Sequence, residues 1–131
     1  MGLDMFAYKL NAEALGDSQV NLPDEKIDKA MLDRHFYYWR KHHSLHNWMH
    51  NLYVLKGGKN KGFNCDTVRL MPEDLNRLEA DIKGRALPET SGFFFGNNEP
   101  DAESDARDLA FVEASREAIA RGEAVVYDSW W

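Results

Sequence analysis

A seven-residue beat through the middle of the chain limits what it can fold into. Between Asp24 and about Leu55, Met31, Tyr38, Leu45 and Leu52 recur every seven residues, with His35, His42 and Met49 at the intermediate positions, the spacing of a helix that buries one side. Unbroken, a helix of roughly 30 residues would run ~45 Å. A compact domain of this length is only ~36 Å across. The run must therefore break, and the pattern puts the break between Arg34 and Tyr37.

After that break comes YYWRKHHSLHNWMH, residues 37–50, which holds four of the five histidines, with His35 just upstream. On a helical projection, Tyr37, Tyr38, Leu45, Trp48, Met49 and Leu52 share the side expected to face a core, while Arg40, Ser44, Asn47 and Asn51 share the solvated side. All five histidines fall between them, beside Trp39 and Tyr53. That arc is the candidate binding surface, with Trp39, Arg40, His42, His46, Asn47 and His50 as its members.

His42 and His46, like His46 and His50, stand four residues apart, so the rings of each pair leave one face a turn apart. They form the alternative set, as metal ligands or as the general base of a metal-dependent or nucleotide-directed enzyme. The HExxH signature is absent, because His43 follows His42 and Asn47 follows His46. A third ligand would have to come from elsewhere, Cys65 or a carboxylate. The plainer reading is a row of neutral histidines at the boundary of a core, and no metal or cofactor is expected. Trp39 beside Arg40 and Lys41 could clamp a phosphate or stack on a base, yet the projection sends the two cations to different sides, so packing is expected there too. The same heptad series, Met31, His35, Tyr38, His42, Leu45, Met49 and Leu52, also offers a homodimer seam.

Elsewhere the chain is punctuated by glycine and proline. Residues 2–10 read as a strand with Phe6 and Tyr8 on one face, and 11–23 as a loop with at most a helical turn. Gly57 and Gly58 stop the histidine helix, and KGGKNKGFN reads as a mobile, solvated loop before a short strand at 67–70. Pro72 opens a helix with the stripe Leu75, Leu78 and Ile82, ending at Gly84. SGFFFG reads as a strand buried on both faces, Asp101, Glu103 and Asp105 as the acidic first turn of a helix reaching Arg121, and EAVVYDSWW as a last strand. The sum is an α+β fold: a small antiparallel or mixed sheet of about four strands, covered on one face by about three helices, with residues 1–131 as a single domain.

Sixteen basic against 22 acidic residues leave a net charge of -6, which disfavours duplex nucleic acid and suits a basic protein partner. One cysteine, Cys65, excludes an internal disulfide and CxxC motifs, and is expected to be a small packed residue. The lysine-rich loop lacks the GK[ST] ending of a P-loop, and the acidic run at 101–105 fails as a calcium loop at Ala106 and Val112. No apolar run reaches the ~20 residues that span a bilayer, and the start, MGLDMFAYKL, lacks the build of a signal peptide. A cytoplasmic protein without a membrane partner is expected. Trp130 and Trp131 must either pack back onto the domain, the preferred reading, or anchor a partner.

The pieces MGLDMFAYKL, YWRKHHSLHNW, Asn64-Cys65, LPETSGFFFG and YDSWW, in that order across most of the chain, resemble a family of small uncharacterised proteins of bacteriophages and prophages. The stretch from about Asn11 to Phe36 departs from it, being longer and more charged. This resemblance implies a context rather than a reaction: a protein made inside a bacterial host from phage or prophage genes; with the small size, the acidity and the absence of a complete catalytic signature, it leads to the expectation of a non-enzymatic accessory protein. Such a protein would bind a host or phage macromolecule, for example as an anti-CRISPR inhibitor of host defence. Trp39, Arg40, His46, Asn47 and Trp48 are the positions that match the family's helix motif.

Overall fold

The computed structural model describes residues 3–22, 36–87 and 102–131. Its elements are β1 (Asp4–Asn11), α1 (Ala12–Leu15), β2 (Tyr37–Arg40), α2 (His43–Leu55), β3 (Val68–Leu70), α3 (Pro72–Lys83), α4 (Ala102–Ala120) and β4 (Glu123–Trp130). One four-stranded sheet runs in the order β2-β1-β4-β3, every neighbouring pair antiparallel. The α+β architecture expected from the sequence is the one observed.

Register explains the two faces. Met5 pairs with Trp39 and Ser129, Ala7 with Tyr37 and Tyr127, and Val68 with Tyr127. Alternate residues of a strand share a face, so these point inward, where they join Leu45, Met49 and Leu52 of α2, Leu75, Leu78 and Ile82 of α3 and Phe111, Val112 and Ala118 of α4 in one core. The opposite face carries Asp4, Phe6 and Tyr8 of β1, Tyr38 and Arg40 of β2, and Val126, Asp128 and Trp130 of β4. Leu15 and Leu22 cover its Ala124–Val126 end as a second, smaller cluster. Among the described residues, no helix is long and apolar enough to cross a membrane.

The expected break in the heptad run is deeper than a kink. Residues 37–40, read above as helix, form the edge strand β2 against Asp4–Ala7. Their aromatic character suits a pleated surface, and Tyr37 and Trp39 alternate with Tyr38 and Arg40 across the sheet. Lys41, with φ of 59°, turns the chain, and α2 starts at His43. Arg107 of α4 donates to the Tyr38 carbonyl, a polar group on the edge strand. SGFFFG lies outside the described residues, as do Met31 and His35. Of the proposed dimer seam, Leu45, Met49 and Leu52 are at most 3% exposed in the chain's own core and Tyr38 belongs to the sheet, so that seam does not exist as drawn.

Residues 56–64 are also better anchored than a solvated loop. Phe63 is fully buried, and the Asn60 amide donates to the hydroxyl of buried Tyr53 at 3.2 Å. Gly58 lies so close to the Tyr53 ring that an added Cβ would sit 2.2 Å from it.

Candidate functional site

The residues singled out in the sequence do not converge. Trp39, inward on β2, is 3% exposed and packs edge-on to Phe111. Arg40 faces the other side of the sheet, exposed, 3.9 Å from Asp4. The three spaced histidines face three different partners.

His42, at the N-cap position of α2, places Nε2 2.6 Å from Oδ2 of Asp108. The other oxygen of that carboxylate accepts the Trp39 indole N–H at 3.1 Å. Asp108 is only 2% exposed at its side chain while His42 keeps 17%, so a buried acid holds a partly solvated imidazole.

One turn on, His46 is buried, and Nδ1 shares a 2.6 Å hydrogen bond with the Tyr127 hydroxyl of β4. Burial, reinforced by His50 and His43 nearby, pushes its pKa down to about 4, so the ring is neutral near pH 7. Burial likewise raises the Tyr127 hydroxyl well above its ordinary value. His50, half-buried, stacks on Phe63 at 4.9 Å between centroids, and Phe63 stacks in turn on Tyr127 at 5.9 Å. Asn47 is half-buried on the same helix. Among the described residues no group of three histidine, cysteine, aspartate or glutamate side chains is placed to hold a metal ion. His42, His46 and His50 thus stand in separate environments, of which the first is held by a buried carboxylate.

Cys65 is exposed rather than packed, with φ of 61°. Partial burial, then the charges of Asp128 and Asp66, push its thiol up, the opposite of an activated nucleophile. The aromatic end of β4 also departs from expectation. Trp130 is 66% exposed and Trp131 47%. Trp131 is tied down, its indole donating to the Phe63 carbonyl at 3.2 Å and its amide to Asn64 Oδ1 at 3.0 Å. Trp130, paired in register with Asp4, stands on the sheet face opposite α2, α3 and α4.

Asp108 escaped the sequence reading, although it begins the spacing 108, 111, 112, 115, 118, all buried positions of α4. A carboxylate in step with an inward stripe was the available signal. No family model, curated protein or solved structure matches the chain.

Proposed function

We propose that this chain is a phage or prophage accessory protein that works in the cytoplasm of a bacterial host by binding a protein partner, an inhibitor of host defence such as an anti-CRISPR protein being the role in view. The exposure of Trp130 carries the reading. A large aromatic side chain left 66% exposed on a sheet is an anchor suited to a partner's pocket, since indoles combine apolar area with a donor and dominate interface energetics. Exposed Arg40 and the half-exposed Asp4 lie across the same strands, and polar groups of this kind rim such anchors. The net charge of -6 favours a basic target and speeds its encounter. Trp39 and His46, proposed above as binding residues, are at most 8% exposed and act from inside the fold.

The test is a pull-down from host lysate, with and without phage infection, using wild-type protein and Trp130→Ala. Stoichiometric recovery of one protein by the wild type and its loss with the variant is the expected outcome. Recovery of no stoichiometric protein from either lysate contradicts the reading.

A further inference from the structure

The strand end that carries Trp130 is flanked by acid. Asp4 stands directly opposite it in register on β1, and opposed residues of an antiparallel pair hold their β-carbons ~5 Å apart. That carboxylate is positioned, because Oδ1 accepts the Tyr38 hydroxyl at 2.5 Å, and the side chain keeps 33% exposure. Asp128, two residues back along β4, shares the outward face. On the other flank, the Cys65 amide donates to the Ser129 carbonyl at 2.8 Å, and the Cys65 thiol is pushed up by burial and then by the charges of Asp128 and Asp66. Negative charge therefore reaches the Trp130 end of β4 from both sides. The cation set against it on this face is Arg40, 63% exposed, with Nε 3.9 Å from Asp4 Oδ1. A pair so long and so wet holds the carboxylate only weakly.

We propose that the partner residue seated on Trp130 is an arginine, its guanidinium stacked on the exposed indole and its N–H edge turned to the Asp4 carboxylate. The inference rests on Trp130 being the docking anchor and names what docks there. An indole face attracts a cation, and a planar guanidinium can stack on it while still donating in its own plane, which a lysine ammonium does not do. The carboxylate across the strand is the acceptor that such a fork pairs with. An acidic or phosphorylated partner residue would meet Asp4 and Asp128 as like charges. A purely apolar one would cover Asp4 without giving it a donor. Arg40, on the same face, competes with the incoming arginine for Asp4.

The probe is a capped glycine peptide with one central arginine, alongside lysine and citrulline versions, titrated at neutral pH and low salt into the full isotope-labelled chain while the Trp130 indole N–H is followed by NMR. The arginine peptide is expected to shift that signal saturably, the lysine peptide more weakly, and the citrulline peptide, uncharged but of the same shape, without saturation. Asp4→Asn, which keeps an acceptor for the Tyr38 hydroxyl, is expected to weaken arginine binding about fivefold, the upper range for an exposed ion pair. Arg40→Ala, which removes the competing cation, is expected to tighten it. No saturable shift with arginine, equal binding of the lysine or citrulline peptide, unchanged binding in Asp4→Asn or weaker binding in Arg40→Ala overturns the assignment. The three peptides are compared on the wild type, so the result stands even if a variant folds poorly. A protein partner that is lost with Trp130→Ala while the arginine peptide fails to bind keeps the docking site and removes the arginine from it.

Discussion

His46 shows how one side chain can tie the fold to pH. Its folded pKa, pushed down to about 4 by burial, lies below its ordinary value of 6.5, so the unfolded chain binds the extra proton between those two values. Stability is therefore complete above about pH 6.5, falls as pH drops through that window, and has lost about 3 kcal/mol by pH 4. Urea denaturation between pH 7 and pH 4 should show this slope, and His46→Gln should flatten it. An unchanged slope in His46→Gln would assign the effect to another group. At the same scale, sequence was a fair guide to the character of the histidines and a poor one to their partners. A boundary row of neutral rings was expected, and His46 fits it, but Asp108, Tyr127 and Phe63 come from segments 13 to 81 residues away, which no local pattern encodes.

Elements were legible where one period dominated. Leu75, Leu78 and Ile82 after Pro72 pointed to α3, and the strand-forming run EAVVYDSWW after Gly122 to β4, both within a residue of where they lie. Residues 37–40 were misread because four aromatic and basic side chains fit a period of 3.6 and a period of 2 equally well, and only pairing with β1 decides between them. The join between elements α2 and α3 carries a further prediction. Asp74, 2% exposed, accepts the Met71 amide at 2.9 Å, pairs with Lys56 Nζ at 2.5 Å and bonds Arg77 at 2.8 Å. It caps α3 and pairs with the half-buried lysine that follows α2. Asp74→Ala should cost about 3 kcal/mol, since it removes one partner of a buried pair together with a cap. Asp74→Asn, which keeps an acceptor, should cost less. Denaturation midpoints that rank the two in the reverse order would refute this division of roles.

At the scale of the whole molecule, the sheet separates two kinds of chemistry. Its inward face meets α2, α3 and α4 and takes up most of the aromatic and histidine content that looked functional in the sequence. Its outward face ends in Trp130, which was expected to pack, because a strand's alternation says which residues share a face but not whether anything covers it. Val54 and Leu55, at 57% and 67% exposure, form another exposed apolar pair, on α2, and so provide the comparison. The direct measurement is the affinity of the recovered partner, by titration calorimetry, for wild type, Trp130→Ala and Leu55→Ala, with folding of each checked by thermal melting. The account predicts about 30-fold weaker binding for Trp130→Ala, corresponding to a hot spot of about 2 kcal/mol, and little change for Leu55→Ala. Unaltered affinity in Trp130→Ala, or a larger loss in Leu55→Ala, contradicts it.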